Sequence, residues 1–111
     1  MILNIDGKDH EIKFGIRFIR KLDKRHSVDY QGLQYGIGVQ RTYMGLKQGN
    51  PITLVEIIVD ATGIDNLRAE DFVESQEDLD WLFDGFLELF EKTSVTKKQI
   101  QNFEQNLQEN Q

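Results

Sequence analysis

Two histidines, His10 and His26, and nineteen carboxylates are the side chains of this 111-residue chain that could hold a metal or move a proton. No carboxylate stands at metal-ligand spacing from either histidine on a common helix face. The chain has no GxSxG, HExxH, phosphate-loop or EF-hand pattern. The carboxylates of residues 56–91 follow no loop with ligands at alternating positions, which Ca²⁺ would require. Gly36-Ile37-Gly38 offers a GxG pair without the third glycine of a dinucleotide fingerprint, so these glycines read as backbone punctuation. There is no cysteine, hence neither thiolate chemistry nor a disulfide framework. The expectation is a protein that is not an enzyme and holds no cofactor or metal.

What remains to do chemistry is charge and apolar surface. Residues 1–50 carry nine Lys/Arg and five Asp/Glu, a balance of +4. Residues 51–91 carry one basic residue, Arg68, and twelve acidic ones, a balance of -11, and residues 92–111 come to +1. Such polarity suits head-to-tail self-contact or a partner of mixed charge, and a net of -6 argues against general nucleic-acid binding. Arg17, Arg20, Lys21, Lys24 and Arg25 form the outer face of a helix expected over 16–26. That face is either simply solvated or a docking patch for an acidic surface, the chain's own helix at 76–92 being one candidate, in cis or from a second copy. Near the C-terminus, Ile100, Phe103 and Leu107 recur at i, i+3 and i+7 among Gln, Asn and Glu. A stripe that narrow does not hold a helix alone in water. Residues 94–111 are therefore a mobile tail or an amphipathic helix ordered on a partner.

The elements that position these groups centre on the stretch from Ser75 to Lys92. Leu79, Leu82, Phe83, Phe86, Leu87 and Phe90 lie at i, i+3, i+4, i+7, i+8 and i+11, one broad apolar helix face. Ser75 is the expected N-cap, with Asp78 closing a capping box. Each buried Leu or Phe contributes roughly 1.5–3 kcal/mol, so the rest of the chain is expected to pack on this face.

Ahead of it, Ile5-Asp6-Gly7-Lys8 marks a tight turn in a hairpin over 2–14, with Leu3, Ile5, Ile12 and Phe14 inward. The helix over 16–26 turns Phe18, Ile19 and Leu22 inward, and 28–35 leaves room for a third short strand. A helix over 37–48 carries Val39, Tyr43, Met44 and Leu46. Gly49-Asn50-Pro51 ends it and caps a helix over 51–62 with Leu54, Val55, Ile58 and Val59 inward, and Gly63 stops that one. A short helix over 66–74 buries Leu67, Phe72 and Val73, and Thr96 with Gln99 caps a last helix over 97–108.

The fold class is α+β: an N-terminal hairpin packed on about five to six helices, one domain over 1–93 and the helix or tail over 94–111. The N-terminus, charged from Asp6 onward, does not read as a signal peptide, and no apolar run approaches the ~18 residues of a membrane span. A soluble intracellular protein is expected.

The order of these features resembles the small tail assembly chaperones of long-tailed, siphovirus-type phages and prophages of Gram-positive bacteria. The matching residues are ILNIDGKDHEIKFGIRFIRKLD, then Tyr35-Gly36-Ile37-Gly38, then Gly49-Asn50-Pro51 with its apolar helix, and finally DLDWLFDGFLELFEK, about 90 residues in the family's order. The resemblance implies a role without catalysis. Such proteins bind the tape measure protein, a very long and mostly helical chain, keep it soluble in the host cytoplasm, help recruit major tail (tube) subunits, and do not stay in the finished virion. Many are made in two lengths through a ribosomal frameshift, and this chain would be the short form. In that role the partner-binding residues would be Ile100, Phe103 and Leu107 for the client, with surplus apolar surface around Tyr43, Met44 and Leu46. Arg17, Arg20, Lys21, Lys24 and Arg25 would serve weak self-association, without nucleic acid or membrane. The other reading is a small acidic intracellular adaptor or regulator of a single protein partner.

Overall fold

The computed structural model describes residues 1–109, so the last two residues of the 94–111 segment lie outside the described residues. The first hairpin forms where the Asp-Gly pair places it. Strands β1 (Ile2–Ile5) and β2 (Lys8–Glu11) pair antiparallel around Asp6 and Gly7, whose φ values of 55° and 80° give the mirror-image turn that matches strand twist. Leu3 and Ile5 face the core. Ile12 and Phe14, expected on the second strand, lie just beyond it and are equally buried, and Ile12 N–H still donates to Met1 O at 2.7 Å.

Helix α1 (Ile16–Arg25) buries Phe18, Ile19 and Leu22 as its spacing requires. Next comes the first departure. The region expected to hold a third strand holds two, β3 (Ser27–Tyr30) and β4 (Leu33–Gly36), paired around Gln31 and Gly32 at φ 51° and 80°. They form a second sheet of their own and do not join the first.

Helices α2 (Gly38–Lys47) and α3 (Pro51–Thr62) follow, joined by Gly49 in the left-handed region and by Asn50, whose side chain accepts from Ile52 N–H at 3.0 Å. Gly36-Ile37-Gly38 does more than punctuate. A Cβ on Gly38 would overlap the backbone of Leu22 and Asp23, and Gly38 N–H donates to Asp23 Oδ1 at 2.8 Å. The glycine lets the start of α2 press on α1, and the carboxylate takes one of its unpaired amides. In α3 the deepest residues are Leu54, Ile57 and Ile58. Val55 and Val59 are half-buried, so the inward face is rotated by about one residue from the expected one.

Helix α4 (Asn66–Glu74) is capped by Asp65, which accepts from Arg68 N–H at 2.8 Å. It buries Ala69 and Val73, whereas Leu67, expected inside, is 66% exposed. Helix α5 (Asp80–Lys92) begins later than expected. Ser75 closes α4 instead of opening α5: its N–H bonds Asp71 O and its hydroxyl donates to Phe72 O at 2.7 Å. A serine hydroxyl that finds a local carbonyl is not free to cap the following helix. The N-cap position falls to Leu79, whose side chain makes no capping bond, and Asp78 just ahead of it accepts from Asp80 N–H at 3.0 Å.

The apolar face of α5 is the centre of the core as its periodicity demands. Leu82, Phe86 and Phe90 are fully buried, and Phe90 meets Phe14 at 4.5 Å between ring centroids, while Phe14 stacks on Phe18 at 4.4 Å. Helix α6 (Ser94–Glu109) starts ahead of the expected cap at Thr96. The Thr96 hydroxyl is buried and donates to Phe90 O at 2.8 Å, a carbonyl in the last turn of α5 that has no partner within its own helix. That bond turns α6 back on α5, and α6 packs against both α5 and α2. The fold is thus α+β, with two separate hairpins and six helices among the described residues.

Candidate partner-binding surfaces

Among the described residues no group of three or more His, Asp or Glu side chains is placed to hold a metal ion. No helix among them is long and apolar enough to cross a membrane. His26 Nε2 lies 3.0 Å from Glu56 Oε2, a pairing between the end of α1 and the middle of α3 that no sequence spacing announced.

The basic residues of α1 divide into two kinds. Arg17, Arg20, Lys21 and Lys24 are exposed, at i, i+3, i+4 and i+7, and form no ion pair among the described residues. Arg25 differs from the other four. Its guanidinium grips Asp60 of α3 with two bonds, Nη2–Oδ1 at 2.7 Å and Nε–Oδ2 at 3.0 Å. Asp60 is nearly buried, and the bond to it raises the Arg25 pKa above its ordinary value. Arg25 therefore ties α1 to α3.

The expected C-terminal stripe is split as well. Ile100 is 2% exposed and belongs to the core. Phe103 is half-buried, edge-on to Tyr43 at 6.5 Å, and Leu107 alone stands open. Tyr43 and Leu46 are likewise buried, leaving Met44 as the accessible member of that expected cluster. A helix that looked unable to stand by itself is held by its own domain, because α5 and α2 supply the apolar surface its narrow stripe needs.

Tyr43 locks this arrangement. Its hydroxyl lies 2.6 Å from Glu104 Oε1 on α6 and 2.8 Å from Glu91 Oε1 on α5. Burial first, and then the bonds to Glu104 and Glu91, push the phenol pKa far above the usual tyrosine value. A raised folded-state pKa contributes stability that is fully present below the unfolded value near 10 and is lost as pH rises above it. Stability is expected to fall in alkaline solution above about pH 10, and Tyr43→Phe is expected to remove part of that fall. Urea midpoints of both proteins across that range check it. An identical alkaline slope in the variant would assign the effect to other groups.

Two open surfaces stand out among the described residues. The first is a groove of about 660 Å³ between α2, α3 and α6. Ile37, Met44, Ile52, Phe103 and Leu107 supply its apolar lining. Gln40 Oε1 and Thr42 Oγ1, which also belong to it, are buried without a hydrogen-bond partner among the described residues. Arg41, Gln48, Thr53 and Glu56 add polar groups, and a concave lining that mixes apolar side chains with polar ones is the character of a recognition cleft.

The second is the β3–β4 hairpin. Its register pairs Val28 with Tyr35 and Tyr30 with Leu33, which puts these four on one face, while Ser27 and Gln34 on the other bond each other at 2.9 Å. All four apolar side chains are exposed, Tyr30 at 63% and Leu33 at 60%. Alternation around Gln31-Gly32 was a legible hairpin signal. That the apolar face would have no cover could not be read from it. At the hairpin base Ile37 N–H donates to His26 O at 3.0 Å, and these two residues also line the groove.

Neither a curated protein nor a solved structure matches the chain. A family model does, over residues 2–105, and its description is Phage tail assembly chaperone protein, TAC.

Proposed function

The chain belongs to the phage tail assembly chaperone family, and on that premise we propose that it binds the tape measure protein through the α2–α3–α6 groove. Binding keeps that long chain soluble and helps bring tail tube subunits to it, in the host cell and before the virion is complete. The observation that carries this reading is the groove itself. Met44, Ile52, Phe103 and Leu107 line an opening between α2, α3 and α6. An amphipathic helix laid in a groove anchors through side chains at i, i+3, i+4 and i+7, which suits a mostly helical client. A long client with apolar stripes aggregates when they are exposed, and many weak, reversible copies along it would prevent that.

Co-expression with the tape measure protein tests the proposal. The client is expected to be insoluble alone and soluble, and co-purified, with this chain. Leu107→Asp combined with Ile52→Asp changes two exposed positions and is expected to abolish rescue while the domain stays folded by circular dichroism. A double variant that rescues as well as the parent would remove the groove from the client role.

A further inference from the structure

We infer that Arg41 makes the groove selective for an acidic amphipathic helix, one that carries an Asp or Glu about one turn away from its apolar anchors. The inference rests on the groove reading above and adds the chemistry of the segment the groove takes. The lining follows α2 from its N-cap, Ile37, to its C-cap, Gln48. At 1.5 Å per residue that is about 16 Å, room for about three turns of a client helix. The same α2 already accepts one narrow-striped helix alongside it, α6, whose Phe103 forms part of the groove wall.

Charge chooses among such helices. The run from Gln31 to Val55, which contains all of α2 and the opening of α3, holds no Asp or Glu, although the chain has nineteen. Its charged residues are Arg41 and Lys47. Lys47 lies outside the lining, with its ammonium 5.3 Å from the centre of the Tyr43 ring. Among the described residues the lining has one carboxylate, Glu56, and its Oε2 faces His26 Nε2 at 3.0 Å. Arg41 lines the groove, is exposed, and its guanidinium forms no ion pair among the described residues. The groove is thus a window almost free of negative charge in an acidic chain, with one unpaired cation in it. Arg41 stands one turn before Met44, so a carboxylate that reaches it lies about one turn from the client side chain that meets Met44. A guanidinium fork takes a carboxylate through two parallel bonds, and a client lysine at that place meets like charge, so the discrimination acts in both directions.

The tape measure protein of the co-expression experiment supplies the probes. Overlapping peptides that cover it, each long enough for about three helical turns, are presented to the full chain. The captured peptides are expected to combine an apolar stripe with an Asp or Glu one turn away. Changing that residue to Gln is expected to weaken capture on the order of tenfold, and changing it to Lys to weaken it further. Arg41→Glu, at an exposed position and checked for fold by circular dichroism, is expected to lose the acidic peptides and to capture their Lys-substituted copies instead. If acidic and Gln-substituted peptides are captured equally, or if Arg41→Glu keeps the parent's peptides, the inference is overturned, while rescue in co-expression leaves the groove reading in place. Rescue without capture of any peptide also overturns it, because the client is then held by something other than a short helix. Absence of both rescue and capture removes the reading and the inference together.

Discussion

Replacement of Phe90 by alanine is expected to destabilise the fold by about 3–5 kcal/mol, a large part of the roughly 5–15 kcal/mol that holds a domain of this size together. Phe90 is fully buried, where α5 meets the first hairpin, α1 and α2. Its ring lies 4.5 Å from Phe14, 6.1 Å from Phe18 and 6.3 Å, edge-on, from Tyr43. Its carbonyl accepts the Thr96 hydroxyl that turns α6 back. The truncation leaves a cavity bordered by the rings of Phe14, Phe18 and Tyr43, none of which can collapse into it without leaving its other contacts. Chemical denaturation measures the loss, and a cost below about 1.5 kcal/mol would mean that the core repacks around the gap and that α5 is less central than its burial indicates.

Arg25→Ala is expected to cost about 3 kcal/mol, the lower end of the range for removing one partner of a buried ion pair. The remaining partner decides the size of the effect. The Asp60 side chain is only 7% exposed and would be left with no cation against it, while Arg25 itself is about a third exposed, which moderates the loss. The companion Arg25→Met with Asp60→Leu removes both charges and is expected to recover most of the stability, since a matched apolar pair carries no desolvation cost. If Arg25→Ala proved neutral in urea denaturation while weakening self-association, Arg25 would return to the docking patch. The expected pattern is the reverse, because both of its bonds are made inside its own molecule.

Local chemistry was enough to place the first hairpin, α1, the Gly49-Asn50-Pro51 junction and the buried face of α5. Asp6-Gly7 admits one tight turn, Pro51 has a place only at a helix start, and three aromatic rings at helical spacing tolerate no other face inward. The charge division was also legible, because it is a sum over residues and needs no coordinates. The fates of Ser75, Leu67, Arg25 and Ile100 were not legible. Each had two chemically sound uses, and the choice fell to an atom distant in sequence or to a competing local carbonyl. Ser75 was captured by Phe72 O. Arg25 met Asp60 thirty-five residues away, and Ile100 met the apolar surface that α5 and α2 left open. The same holds for the second hairpin, whose alternation specified strands while only the packed molecule could show that none of the described residues covers their apolar face. Periodicity and turn chemistry act within a few residues and so belong to the sequence. Which side chain satisfies which depends on loops closing over tens of residues, and that the tertiary structure alone decides.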